Sequence, residues 1–492
     1  MIKFENVYLK YDTADDYALK NINLEIKEGE FTVLLGNSGC GKTAVTRLIN
    51  HLIPEFYSAE KTGAVTVNGC NSDALSLEDL VGKVGSVFQD PRSQFFATDT
   101  TAEIAFSCEN VAMPPERIRK NVKKAVTELE IEDLLDRNIF ALSSGQKQLI
   151  AIASVYALSP KILIFDEPSA NLDAESVIRL QKILKGLKSQ GYTIIVAEHR
   201  VYYLRELADK AIVIKNGEIK KVFEKDEFLK LSNQASNALG LRSTCMETLK
   251  PEHCIPEYKA VGEKLSVRNI SFNYNKKIRP LKDISLEVER GSIVGIIGCN
   301  GAGKTTLLDI ICGIKKESSG GIYLGNQRLS CKNRIKKSFM VMQDSDYQLF
   351  TESVDKELFL GEKVTRDMEK KSLELLERMQ LSKFRSSHPS ALSVGQKQRL
   401  CIALSCMKDA DIICLDEPTS GIDYENMKNV TSLLFDLRKR GAIQFVTTHD
   451  YEFLLCACTH ICYIKDGRVE KYFAVNDETA PQIYNIIFNG GK

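Results

Sequence analysis

Leu142 to Asp173 reads LSSGQKQLIAIASVYALSPKILIFDEPSANLD, and the reading of this stretch decides the fold. A small-residue turn leads into an amphipathic helix whose apolar positions include Leu149, Ile152, Val155 and Leu158. Ser159-Pro160 ends that helix, because proline cannot continue the backbone ladder. The apolar run Ile162-Leu163-Ile164-Phe165 has the length and composition of a buried parallel strand. It delivers two adjacent carboxylates, Asp166 and Glu167, to its C-terminal end, where ligands bind in open α/β sheets. The pattern returns at Leu392–Asp423, LSVGQKQRLCIALSCMKDADIICLDEPTSGID. Ser393 follows Ser143, and Asp416 follows Asp166, by 250 positions in each case (393 − 143; 416 − 166). The chain is a tandem duplication.

The repeat divides the 492 residues into two units of about 230–240 residues, each long enough to bury its own core. The expected division is residues 1–235, a linker over 236–262 containing Pro251 and Pro256, a second domain over 263–475, and a polar tail over 476–492. Within that tail, Ile486-Ile487-Phe488 is a candidate docking segment. Sixty-six basic residues stand against 65 acidic ones with no long single-sign block, so overall charge does not point to nucleic acid. The N-terminus, MIKFENVYLKYD, has no signal-peptide pattern, and no apolar window reaches the ~18 residues of a spanning helix. The fourteen cysteines include no CxxC pair, and several sit in apolar runs, so buried free thiols rather than a disulfide framework are expected. Cys456, Cys458, His460 and Cys462 form the one candidate metal cluster, without a matching second pair.

Taken in order, each unit carries one series of motifs. The run Phe31-Thr32-Val33-Leu34-Leu35 feeds into Gly36-Asn37-Ser38-Gly39-Cys40-Gly41-Lys42-Thr43, which fits G-x-x-x-x-G-K-[ST]. Glycines let the backbone wrap round phosphate, its N–H groups face the anion, Lys42 neutralises charge, and Thr43 is placed for Mg²⁺. Tyr11 ends the first predicted strand, Gln89 ends another, and His199 follows the strand over 193–197. The second unit repeats the series with Tyr274, the strand Ile293–Ile297, Gly298-Cys299-Asn300-Gly301-Ala302-Gly303-Lys304-Thr305, Gln343, Asp416-Glu417 and His449. The lysines lie 262 apart (304 − 42) and the histidines 250 (449 − 199), so the second unit is shorter only between its phosphate loop and Ser393.

Phosphate loop, glutamine, LSxGQ, Asp-Glu-Pro and histidine, twice in one order, resemble the ATP-binding cassette (ABC) ATPases over nearly the whole chain. The resemblance implies two tandem P-loop NTPase domains of α/β class, each with a RecA-like core, a small antiparallel β subdomain and a helical signature subdomain. It implies ATP and Mg²⁺ as cofactors. Asp166 and Asp416, with Thr43, Thr305, Gln89 and Gln343, would hold Mg²⁺; Glu167 and Glu417 would act on the attacking water; His199 and His449 would contact the γ-phosphate. Tyr11 and Tyr274 would stack on adenine, although packing between strands also accounts for them. Thr306 keeps the second hydroxyl after the phosphate loop, which Ala44 replaces in the first unit. Ser143, Gly145 and Gln146, with Ser393, Gly395 and Gln396, resemble the signature, and in the family each signature closes on the other domain's ATP. LSSGQ and LSVGQ replace the family's first signature glycine, and Glu198-His199-Arg200 departs from the commoner form at Thr448-His449-Asp450. No catalytic group is lost, so two hydrolytically competent sites are expected.

Gln89-Asp90-Pro91-Arg92-Ser93-Gln94-Phe95-Phe96 and Gln343-Asp344-Ser345-Asp346-Tyr347-Gln348-Leu349-Phe350 share Q-D-x-x-x-Q-φ-F, with φ apolar, and Glu103 aligns with Glu357. The aromatics belong either to local core or to a partner groove. These segments resemble the ATPase subunits of energy-coupling-factor (ECF) importers of vitamins or transition-metal ions. There they receive the coupling helices of a transmembrane component, with acidic groups meeting its arginines, beside a substrate-binding membrane component. The resemblance implies a peripheral position at the cytoplasmic face of the membrane and no nucleic-acid partner. A tandem sugar-importer ATPase and a soluble ABC translation or ribosome factor are the alternatives.

Overall fold

The computed structural model describes residues 1–251, 262–274 and 279–490. They form two compact units, Met1–Cys245 and Met246–Lys492. In the first, the central sheet runs in the order Glu218–Glu224, Lys210–Lys215, Phe31–Leu35, Thr193–Ala197, Ile162–Asp166 and Val84–Val87. Every pairing in it is parallel except that of the Glu218–Glu224 edge strand. Its strands are near-continuous apolar runs because both faces are covered. Phe31, Val33 and Leu35 pack with Ile152, Leu184 and their neighbours on one side. Leu34, Ile164 and Ile195 pack on the other side with Val45 and Leu48 of the Lys42–Ile49 helix. That side also meets a second, antiparallel sheet in the order Leu19–Ile26, Ile2–Tyr11, Ala59–Val67 and Cys70–Asn71.

The second unit repeats this plan. Its central sheet runs Ser338–Val341, Ile412–Asp416, Ile443–Thr447, Ile293–Ile297, His460–Lys465 and Arg468–Ala474. Its antiparallel sheet runs Leu281–Val288, Leu265–Phe272, Ser319–Leu324 and Gln327–Arg328. Between its central strands, each unit inserts a helical segment ending in the helix that opens the duplicated stretch, Ser144–Ala157 or Val394–Met407. The consequence for function is registry. Leu34 pairs with Ala197, Ala197 with Asp166, and Phe165 with Val87, so the phosphate loop, His199, Asp166-Glu167 and Gln89 leave the sheet at one edge.

The linker expected over 236–262 falls partly outside the described residues, at 252–261. Its described start belongs to the first unit, which runs on to Cys245. Polar side chains replace water as partners for this backbone: Ser236 Oγ donates to Arg242 O at 2.8 Å, and Thr244 Oγ1 to Leu231 O at 3.0 Å. The tail holds a helix, Ala480–Phe488. Tyr484 and Phe488 pack edge-on against Tyr451, at 5.6 and 5.9 Å between ring centroids.

Candidate active site

Each phosphate loop is a strand-to-helix turn that glycine alone permits. Gly36 has φ 146°, and a Cβ there would stand 2.1 Å from Ile214 O; at Gly298 it would stand 2.3 Å from Ile464 O. Gly41 and Gly303 precede the helices Lys42–Ile49 and Lys304–Ile311, while Gly39 and Gly301 face open space. Lys42 Nζ folds back over its loop to Gly36 O (2.9 Å) and Asn37 O (3.1 Å), and Lys304 Nζ does so to Gly298 O (2.7 Å) and Cys299 O (3.3 Å). A helix start and a buried ammonium together make a fixed positive site.

The carboxylates stand opposite. Thr43 Oγ1 is 3.4 Å from Asp166 Oδ1. Burial, reinforced by the charge of Glu167, pushes the Asp166 carboxyl up to about 6 against the opposing influence of Thr43, Lys42 and Arg47. Burial also raises Asp416, although Thr447 and Thr305 donate hydrogen bonds to it. Glu167 and Glu417 follow in left-handed backbone, at φ 46° and 50°, uncommon for a side chain with a Cβ. The first site is knit together: Gln89 Nε2 donates to Glu167 Oε2 (2.6 Å), and His199 Nε2 stands 3.0 Å from Glu167 Oε1 and 3.5 Å from Lys42 Nζ. In the second, His449 Nε2 lies nearer the lysine, 3.2 Å from Lys304 Nζ and 3.8 Å from Glu417 Oε1. Gln343 is exposed two residues beyond the end of the Ser338–Val341 strand.

Ser143 and Ser393 are helix caps. Ser143 Oγ accepts from Gln146 N (3.3 Å) while Ser143 N donates to Gln146 Oε1 (3.0 Å). Ser393 and Gln396 repeat this reciprocal box at 3.4 and 2.8 Å. Gly145 lets its helix approach Ser176, whose Oγ a Cβ would meet at 2.4 Å; Gly395 faces open space. Tyr11 OH accepts from Arg47 Nη1 at 3.4 Å. Tyr274 OH accepts from Lys315 Nζ at 2.8 Å, which holds the phenol below its ordinary value, and lies 3.2 Å from Thr306 Oγ1.

The ABC transporter family model matches residues 19–170 and 281–420, one region in each unit and more than half of the chain. The chain belongs to the ABC transporter ATP-binding proteins. A candidate ABC transporter ATP-binding protein of Treponema denticola is 40% identical over 97% of this chain and 97% of its own length. A candidate HMP/thiamine import ATP-binding protein of Bacillus subtilis, YkoD, is 30% identical over 95% of this chain and 90% of its own. ABCE1 in a ribosome-bound archaeal complex with Pelota matches 98% of this chain and 80% of that one, at 20% identity and TM-score 0.68, a likeness of fold alone. The protein is thus an ATPase, the ATP-binding subunit of an ABC transporter. Among the described residues no helix is long and apolar enough to cross a membrane.

Within this ABC protein, the Q-D-x-x-x-Q-φ-F segments divide their residues between structure and surface. Gln94 bonds Phe88 N (2.9 Å) and Ser86 O (3.0 Å), and Gln348 bonds Met342 N (2.8 Å) and Met340 O (2.6 Å), so both glutamines fasten a loop to the sheet edge. Phe95 packs on the core, whereas Phe96 is 74% and Phe350 73% exposed. Glu103 and Glu357 are buried and turned inward. Glu103 Oε2 accepts from Phe96 N (2.9 Å) and Ala97 N (2.8 Å); Glu357 accepts from Phe350 N (3.1 Å) and Thr351 N (2.8 Å). These two carboxylates are therefore loop anchors rather than groups offered to a partner's arginines.

Three side chains escaped the sequence reading. Gln398 Nε2 donates to Glu417 O at 2.6 Å, joining the Val394–Met407 helix to the carboxylate strand; its place, two residues after Gln396, carries no motif. Glu198 and Arg200 showed only as departures from Thr448 and Asp450. His460 stacks on Tyr472 at 5.3 Å, and no group of three His, Cys, Asp or Glu among the described residues is placed to hold a metal ion.

Proposed function

We propose that this ABC protein is the fused ATPase pair of an ECF importer for a vitamin or transition-metal ion. It would sit at the cytoplasmic face of the membrane with a transmembrane component and a substrate-binding membrane component. The observation that carries this reading is the repeated pair of exposed aromatics, Phe96 and Phe350, each on a loop pinned by a buried glutamate. A large exposed apolar side chain on a rigid loop suits an apolar partner helix. The name of the B. subtilis relative, HMP/thiamine import, supports a vitamin as cargo.

In each domain the phosphates of ATP rest on the loop N–H groups and on Lys42 or Lys304. Glu167 and Glu417 orient the attacking water and take its proton, and His199 and His449 reach the γ-phosphate. Thr43, Gln89 and Asp166, with Thr305, Gln343 and Asp416, form oxygen-donor sets that fit Mg²⁺, and the raised aspartate carboxyls fit a nearby cation. Mg²⁺ bound there supplies charge neutralisation at the phosphates. The half-exposed ring of Tyr274, its hydroxyl tied to Lys315, leaves a face for adenine, with Tyr11 in the same role.

The test is gentle detergent extraction of the tagged chain, unmodified and as the Phe96→Asp/Phe350→Asp variant. Integral membrane proteins of the importer class should accompany the unmodified chain and be lost from the variant while its ATPase activity persists. Recovery of ribosomal proteins or nucleic acid, with no membrane partner, would overturn the reading.

A further inference from the structure

We propose that Glu198 and Arg200 are positioning residues for ATP hydrolysis in the first domain, locking the loop that follows Glu167 to the segment that carries His199. The proposal rests on the reading that Glu167 and His199 act on ATP. Glu198 is 2% exposed. Its Oε1 accepts from His199 N (2.7 Å) and Arg200 N (3.1 Å), and its Oε2 from Tyr203 OH (2.8 Å) and Ser169 N (3.3 Å). Four donors satisfy this buried carboxylate and leave it no direction in which to turn. Arg200 closes the same junction from the other side, its Nη1 donating to Leu172 O (3.2 Å) and Ser169 O (3.4 Å).

Ser169 and Leu172 belong to the loop joining Glu167 to Asp173, the cap of the Ala174–Ser189 helix. Glu167, at φ 46°, keeps its backbone conformation only while its surroundings impose it. Glu167 N donates to Ala197 O (2.8 Å), Ala170 N donates to Glu167 O (3.2 Å), and the lock secures the rest of the loop. His199 Nε2 and Glu167 Oε1, 3.0 Å apart, are thereby held from both of their chain segments. The second domain fills the same positions differently: Thr448 Oγ1 lies 3.2 Å from Thr419 Oγ1, Asp450 caps the Tyr451–Ala457 helix, and the histidine–glutamate separation is 3.8 Å. The carboxylate and guanidinium are features of the first domain, and they go with its closer pair.

The experiment is steady-state ATP turnover by the full chain, comparing Arg200→Ala, Arg200→Lys, the paired Glu198→Thr/Arg200→Asp and Glu167→Gln, with thermal unfolding alongside. The paired variant installs the residues the second domain already accommodates, so it remains informative where a single substitution prevents folding. Arg200→Ala and the paired variant should lower kcat at least fivefold with KM for ATP within twofold, and Arg200→Lys should restore at least half of the loss. The proposal is overturned by kcat within twofold of the unmodified chain in both variants, or by a loss that appears equally in KM and in melting temperature. Glu167→Gln separates the two levels. If it leaves turnover intact, the reading of the site fails; if it lowers turnover while the lock variants do not, only the lock fails.

Discussion

Replacing Asp166 with asparagine should make the nucleotide-free chain more stable at neutral pH. Burial and the neighbouring Glu167 charge move this carboxyl from its ordinary 3.8 to about 6. Between those values the folded state keeps the proton that the unfolded chain releases. The stability tied to this group is therefore complete below the unfolded value and is lost as pH rises to about 6. At ~1.4 kcal/mol for each tenfold in proton affinity, the loss reaches about 3 kcal/mol at pH 7.5 and is about 1 kcal/mol at pH 4.5. Asparagine has the shape of the protonated acid and no charge to desolvate. Urea unfolding of the chain in EDTA should show the variant's advantage growing between those two pH values by about 2 kcal/mol. Saturating Mg²⁺ and ATP should reverse the order, because ligand that binds only the folded state adds stability that grows with the logarithm of its retained affinity. An Asp166→Asn chain less stable than the unmodified one at pH 7.5 in EDTA, or an advantage independent of pH, would refute the burial argument.

Two further substitutions probe the scaffold. Gly36→Ala should abolish binding of a fluorescent ATP analogue at the first phosphate loop and halve the stoichiometry of the chain, because its Cβ would meet Ile214 O at 2.1 Å; Gly39→Ala, facing open space, should cost only the ~1 kcal/mol of a strained φ. Glu103→Gln, which turns an amide N–H₂ toward buried backbone donors or leaves one unpaired, should destabilise the first unit by about 1–3 kcal/mol in urea unfolding, as should Glu357→Gln the second.

What the sequence disclosed and what it withheld follow from the physics of each signal. Gly36, Lys42 and the Ile162–Asp166 strand were legible because chain-local chemistry, glycine backbone and apolar runs, dictates them. The repeat made His199 and His449 legible despite their being lone histidines. Phe95 and Phe96 are identical in type, and only the packing of the Pro91–Gln94 turn against the sheet edge decides which goes inward. Glu103 and Glu198 carry no sequence mark of burial; Glu103 is buried because its loop folds back to bring the N–H groups of Phe96 and Ala97 onto it, and Glu198 because Ser169 N, 29 residues away, joins its near neighbours there. The tail helix does carry apolar spacing, at Ala480, Ile483 and Ile486, and was open to reading; the first unit's extension to Cys245 was hidden for another reason. Polar side chains such as Asn233 and Thr244 satisfy the backbone there, leaving little apolar periodicity to read.

The most direct measurement is ATP turnover by Glu167→Gln and Glu417→Gln, each made alone in the full chain. Both left-handed glutamates stand at strand ends beside a histidine and a phosphate-loop lysine. Each substitution is therefore expected to lower turnover at least tenfold while ATP binding persists. Turnover abolished by one and untouched by the other would contradict two competent sites.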